Sequence, residues 1–128
     1  MRKLRPDTSN WDNILGSYGA GAVFAWTRET VHDSADIHAR MFAPIIGITE
    51  NPATGSAAAA LADYLATPNP LKTGTLRWLV EQGLEMQRPS FLEVEADKFE
   101  DKIVAVRVGG SPVTVSSGRM TVPALTDH

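Results

Sequence analysis

The chain has 128 residues, 43% hydrophobic and 21% charged, with a formal net charge of −3 and no cysteine. That composition predicts one folded domain over residues 1–128, able to bury about two-thirds of its unfolded surface, and it excludes disulfides, thiol catalysis and cysteine-ligated zinc. Lysine and arginine are scattered, so no nucleic-acid partner is expected; no apolar run reaches the ~18 residues that span a bilayer and no apolar signal region opens the sequence, so no membrane partner and a cytoplasmic setting are expected.

In chain order, Asp7, Thr8 or Ser9 can cap a short helix carrying Trp11, Ile14 and Leu15, which ends near Gly16 and Gly19. Ala22 to Thr27 reads as a strand, and Glu29 to Ser34 as a polar turn. In Asp36 to Phe42, Ile37, Ala39 and Met41 alternate with His38, Arg40 and Phe42, the period of a strand. His38 and Arg40 therefore share a face. They can line a cleft and meet an acidic substrate, or stand in solvent on an edge strand; spacing alone leaves both open.

Glu50 to Ala57, Glu-Asn-Pro-Ala-Thr-Gly-Ser-Ala, is the most informative stretch. Pro52 pushes Asn51 into an extended conformation, so a helix can begin only in the Ala53 to Gly55 region. Thr54 or Ser56 can cap its first turn, and Gly55 leaves the main chain open to a ligand. The first N–H groups of a helix lack internal partners, and with the helix dipole they can hold a carboxylate or phosphate. An ordinary capped helix leaving a loop is the competing reading. The run Ser56 to Leu65 contains four consecutive alanines. It leaves no polar face on the first turns, which predicts a helix buried all round.

Two prolines break the chain in the Thr67 to Pro70 region. Extended stretches are expected at Leu76 to Glu81, Phe91 to Ala96, Ile103 to Val108 and Val113 to Ser116, with hairpin turns at Phe99 to Lys102 and Gly109 to Pro112. Glu93, Glu95 and Asp97 alternate with apolar residues as the wet face of a strand. His32, His38 and His128 show no metal-ligand spacing, and no metal or cofactor is expected. Trp11, Trp26 and Trp78 have no basic cluster beside them and read as core.

Three segments, in order, resemble the phenazine-biosynthesis PhzF-like isomerase family, which shares its fold with diaminopimelate epimerase. They are Asp36 to Ala57; Gln82-Gly83-Leu84-Glu85-Met86-Gln87-Arg88-Pro89-Ser90; and Val108-Gly109-Gly110-Ser111-Pro112-Val113 with Gly118. The opening Leu4-Arg5-Pro6-Asp7 is similar to a family helix entry. The resemblance implies an α+β fold in which a mixed, curled sheet, a half-barrel, wraps a central apolar helix whose N-terminal end opens toward a cleft. It also implies that this chain corresponds to most of the second of two similar domains, the catalytic glutamate belonging to the first.

By the same resemblance, the positions of Asn51 and Ser56 are catalytic; Thr54, Gly55, Ser56 and Ala57, from the helix start that the resemblance reinforces, and Arg40, from its strand face, are candidates for binding a small carboxylate or other anion. The family usually has aspartate where Asn51 stands. An amide cannot take up a proton at working pH, so Asn51 cannot act as general acid or base. The expected function is accordingly a PhzF-like isomerase or epimerase domain acting by proton transfer, incomplete as an active site on its own; the alternative is a non-catalytic anion-binding or assembly module. The face that a first domain would cover predicts a homodimer, or pairing with a separate first-domain chain.

Overall fold

The computed structural model describes residue 1 and residues 3–121; His128 lies outside them. The strands are β1 (Val23–Thr27), β2 (Ile37–Ala43), β3 (Ile48–Asn51), β4 (Gly74–Gln82), β5 (Ser90–Phe99) and β6 (Lys102–Gly109), with helices α1 (Trp11–Leu15) and α2 (Gly55–Ala66). Short 3-10 turns cover Gly16–Tyr18, Pro44–Ile46 and Leu84–Met86.

All six strands form one sheet in the order β1-β2-β4-β5-β6, with β3 on β2. Neighbours run antiparallel except β2 and β4, which are parallel because the chain crosses between them through β3 and α2. One edge of β2 is taken by β1; the other is divided between β4, opposite Ile37–Ala39, and β3, opposite Met41 and Ala43. The ends of β3 and β4 thus meet beside the middle of β2. That junction sets up the candidate site.

The pleat sorts the faces. Ile37, Ala39, Val80 and Val94 turn to one side and form the core with Ala58, Leu61 and Ala62 of α2, flanked by Phe24, Trp26, Trp78, Leu92 and Val106. Ala58 and Ala62, four apart on one helix face, are fully buried and let α2 lie close on the sheet. Lys98 closes the far end of the helix, its Nζ donating to the Ala66 and Asn69 carbonyls at 3.3 and 2.8 Å. The Ala66 carbonyl, which also accepts from the Asn69 N–H at 3.1 Å, and the Asn69 carbonyl in the turn beyond are thus tied to β5.

On the opposite face, Arg77 and Arg107 grip Glu95 at 2.7 and 3.0 Å, and Arg107 also pairs with Asp97 at 2.7 Å. The Arg107 hydrogen bond, helped by Thr75, lowers the Asp97 carboxyl to about 2, and Arg107 and Arg77 lower that of Glu95. A carboxyl depressed in the folded state stabilises it above the unfolded pKa and loses that contribution as pH falls through the folded one. Resistance to urea is therefore expected to decline as pH drops from about 3.8 toward 2, and less steeply in Arg107→Ala.

Most elements fall where the sequence places them. The β5–β6 turn is a two-residue hairpin with positive φ at Glu100 (49°) and Asp101 (66°), the twist that suits antiparallel strands. Two expectations need correction. Val113 to Ser116 forms no strand and Gly109 to Pro112 no hairpin; Val113 and Val115 are 83% and 92% exposed, with no apolar surface to cover them. The alanine-rich helix is buried on one face only, with Ser56, Ala60, Asp63 and Tyr64 exposed. Of the two readings left open for His38 and Arg40, the structure removes the solvent-facing one: β2 is an inner strand and both side chains are buried. The four-residue β3 is too short for periodicity to reveal; its pairing with β2 defines it.

Candidate functional site

The turn into α2 is shaped by Asn51 and held by Gln82. Asn51 Oδ1 accepts a hydrogen bond from the Ala53 N–H at 3.0 Å, a local turn that carries the chain past Pro52. Thr54, the N-cap residue, is extended (φ −129°, ψ 86°) and does not use its hydroxyl to cap the helix. Gln82, fully buried at the end of β4, takes that hydroxyl instead. Its Nε2 donates to Thr54 Oγ1 at 3.0 Å and to the Asn51 carbonyl at 2.7 Å, and its Oε1 accepts from the Thr54 N–H at 3.2 Å.

One consequence is chemical. The first helical bond runs from the Ala58 N–H to the Thr54 carbonyl at 3.0 Å, so the N–H groups of Gly55, Ser56 and Ala57 precede the ladder. With Thr54 turned away, no capping side chain takes them, and they stand at the positive end of the helix dipole. Ser56 is exposed there. A methyl on Gly55 would meet only Val108 Cγ1, at 3.8 Å, and its φ is not in the left-handed region, so the fold does not require glycine at this position.

Gly83 is the opposite case. At φ 78° it carries the chain from Gln82 into the 3-10 turn, and a Cβ there would stand 2.3 Å from the Arg88 carbonyl oxygen and 2.8 Å from that of Pro52. The Arg88 N–H closes this loop onto the Gly83 carbonyl at 3.0 Å. The 83–88 loop is thereby pressed against the β3–α2 turn. Beyond it opens a cleft of about 790 Å³ that begins at Ala53 and runs between Arg88–Glu93 and Val108–Val113. Arg88 is exposed at the cleft, and its guanidinium takes no partner among the described residues. Three free N–H groups, a helix dipole and a free guanidinium suit a small carboxylate.

The sequence-derived residues Asn51, Thr54, Gly55, Ser56 and Ala57 come together in this one turn. Arg40 does not join them. It lies on the opposite sheet face, where Nε and Nη2 donate to the two oxygens of Glu50, each at 2.8 Å, and Nη1 donates to the Met1 and Leu4 carbonyls at 3.2 and 3.0 Å. The Glu50 hydrogen bonds raise its pKa further, and the guanidinium lies 4.9 Å from the Phe42 ring centre. An arginine so occupied has little left for a ligand at α2. Among the described residues no group of three or more His, Cys, Asp or Glu is arranged to hold a metal ion, and no helix is long and apolar enough to cross a membrane.

Residues 1–118 match the model of the PhzC-PhzF family, described as phenazine biosynthesis-like protein. The chain belongs to this family. An uncharacterized isomerase of Mesorhizobium japonicum is 32% identical over 123 residues, covering 94% of this chain and 41% of the relative. The trans-2,3-dihydro-3-hydroxyanthranilate isomerase of Pseudomonas fluorescens is 32% identical over 125 residues, covering 95% of this chain and 41% of the enzyme. The chain thus spans about two-fifths of the length of these relatives. A crystal structure of the Bacillus anthracis phenazine biosynthesis protein of the PhzF family superposes with a TM-score of 0.75 at 22% identity, over 86% of this chain and 38% of that one. The shared fold is a mixed α+β arrangement with a curled, unclosed sheet.

Within this PhzC-PhzF chain, sequence reasoning singled out the α2 turn but passed over Gln82, Gly83 and Arg88. The signal was present in the segment Gln82 to Ser90. A glutamine followed by glycine at the end of a strand marks a buried polar clamp and a tight turn only once the neighbouring backbone is known.

Proposed function

We propose that this chain is the carboxylate-holding half of a PhzF-like isomerase site, in which a proton is moved at carbon on a small metabolite whose carboxylate sits on the N–H groups of Gly55, Ser56 and Ala57. The observation that carries the reading is the capping hydroxyl of Thr54 drawn off by Gln82, which leaves those donors uncapped at the end of a turn whose Ala53 lines the cleft that Arg88 edges. A substrate like that of the P. fluorescens relative, an anthranilate derivative, carries such a carboxylate. Asn51 contributes the turn and not the proton, so acid–base work falls to a carboxylate elsewhere, and the chain tested alone exchanges no carbon-bound proton of such a substrate. The curled sheet would then act as a half-barrel around α2, with the α2 start at its mouth.

The test separates binding from folding through Gly55. Gly55→Ala is expected to leave stability unchanged or raise it by about 0.4–1 kcal/mol, because the site has room for the methyl. The same methyl intrudes on a ligand at the first turn, so benzoate affinity should drop severalfold. In amide NMR titrations of the parent chain, the Gly55, Ser56 and Ala57 signals should move saturably. Signals that stay still while others move would place the anion elsewhere and end this reading. The alternative, a binding module without catalysis, is favoured by Asn51 and is decided by solvent deuterium exchange at the substrate carbon.

The exposed strip of α2 and edge strand β1 form a shallow apolar cleft of about 250 Å³, lined by Phe24, Trp26, Ala57, Ala60, Leu61 and Tyr64. We propose that a second copy of the chain covers this strip. Light scattering at micromolar concentration is expected to give twice the chain mass, and Tyr64→Lys to give a monomer; a parent chain that already scatters as a monomer would remove the idea.

A further inference from the structure

The sheet face away from α2 carries a chain of ionisable groups centred on His38, which β2 holds almost fully buried. Glu81, fully buried on β4, accepts from the Val31 and His32 N–H groups at 2.6 and 3.0 Å, and from His32 Nδ1 and His38 Nδ1 at 2.8 and 2.7 Å. Burial pushes this carboxyl up, but the four hydrogen bonds outweigh it and hold it below its ordinary value. Glu81 is therefore an acceptor only, and the Nδ1 proton of His38 is committed to it.

The other ring nitrogen, His38 Nε2, stands 3.1 Å from Glu85 Oε1. That contact needs one proton, on the imidazole or on the carboxyl oxygen. Without it, two lone pairs face each other in a buried place, one of them on a full negative charge, and attraction gives way to repulsion. The other charged groups around the pair come from four elements. Arg40 of β2 places its Nε 3.9 Å from Glu85 Oε2 while donating to Glu50 of β3. His32 of the β1–β2 loop shares Glu81, and Arg5 of the amino-terminal segment lines the same cavity, of about 700 Å³.

Glu85 belongs to the 84–86 turn, which is bounded by two residues in the left-handed region, Gly83 at φ 78° and Gln87 at φ 57°. For Gln87 that conformation is strained, so the loop keeps its shape only while its contacts hold. The loop is also the wall between two cavities. Glu85, Gln87 and Pro89 line the one around His38, and Arg88, Pro89 and Ser90 line the cleft at α2.

We infer that the proton shared by His38 and Glu85 is a regulatory ligand of the α2 cleft. With the proton bound, Glu85 ties the 83–88 loop to β2 and Arg88 stands at the cleft. As pH rises and the proton is lost, Glu85 leaves His38, the loop shifts, and an anion at α2 is held less tightly. The binding arm of this inference rests on the anion reading of α2; the hold of the proton on the loop does not. Linkage is reciprocal, so an anion at α2 must in turn make the proton harder to remove.

NMR of the full chain follows the His38 ring protons, the Leu84 to Arg88 amides and benzoate affinity as pH is raised from about 5, where histidine charge changes begin. The loop amides should move with the midpoint of the His38 ring, benzoate affinity should fall at least about fivefold across that midpoint, the lower end of ordinary coupling between sites, and saturating benzoate should displace the midpoint upward. In Glu85→Gln the carboxamide can accept from the charged ring and donate to the neutral one, so the chain should bind benzoate without the pH step. His32→Gln removes the neighbouring imidazole and should keep the step. A His38 ring that holds one charge state throughout the folded range, loop amides that ignore its titration, or a step that survives Glu85→Gln or vanishes in His32→Gln would overturn the switch. A parent chain that binds no benzoate would end the α2 reading instead, and the loop amides would then decide the proton's hold on the loop by the same criterion.

Discussion

Gly83→Ala is expected to destabilise the chain by about 3–5 kcal/mol, or to prevent folding altogether. Two penalties combine. The residue sits at φ 78°, which a side chain occupies at a cost of about 1–3 kcal/mol. The added Cβ would also stand 2.3 Å from the Arg88 oxygen and 2.8 Å from the Pro52 oxygen, both backbone atoms. Overpacking against groups that cannot swing aside typically costs a further 1–3 kcal/mol. Relief requires the 83–88 loop to lift from the β3–α2 turn. In whatever fraction folds, Arg88 should therefore leave the cleft and benzoate affinity should fall. Urea unfolding gives the first quantity and the amide titration the second. A Gly83→Ala chain with parental midpoint and parental benzoate affinity would mean that the loop is not pinned here.

Gln82→Leu is expected to cost about 2–4 kcal/mol and to abolish benzoate binding at α2. The glutamine satisfies three groups of one turn, the Asn51 carbonyl, the Thr54 N–H and the Thr54 hydroxyl, from a fully buried position. Leucine fills the same volume and leaves all three without partners, and a buried group so orphaned costs about 1–3 kcal/mol. The Thr54 hydroxyl, set free, would turn to cap the helix and occupy a donor that the anion needs. Gln82→Glu discriminates between volume and donors. It keeps shape and an acceptor for the Thr54 N–H but loses the amide donor to Asn51, so it should lie between the parent and Gln82→Leu at high pH and approach the parent as the carboxyl protonates. Equal stability of Gln82→Leu and the parent, read from urea midpoints, would show that water replaces the clamp.

The sequence by itself determined the local elements of this protein. Pro52 followed by Thr54-Gly55-Ser56 and four alanines fixes where α2 starts, because proline forbids helix before it and small residues favour helix after it. Alternation marks β2 and β5, β4 and β6 read as extended stretches, and Glu100-Asp101 sits where a two-residue turn must join the last two strands. The ordered segments Asp36 to Ala57 and Gln82 to Ser90 were sufficient to point to the PhzF-like family, to which the match over residues 1–118 assigns the chain.

What the tertiary structure alone decided is which polar groups meet. Strand periodicity puts His38 and Arg40 on one face but says nothing of what covers it. Only the parallel pairing of β2 with β4 sets His38 opposite Glu81, forty-three residues later, and only the 84–86 turn brings Glu85 to its other nitrogen. Likewise, Thr54 has the chemistry of a helix cap, and a local rule gives it that task. The meeting of β3 and β4 on one edge of β2 delivers Gln82 to its hydroxyl instead, and so leaves the helix start open. Local propensity is settled by energies within a few residues, whereas the satisfaction of a buried polar group depends on partners that only the sheet order brings within 3 Å.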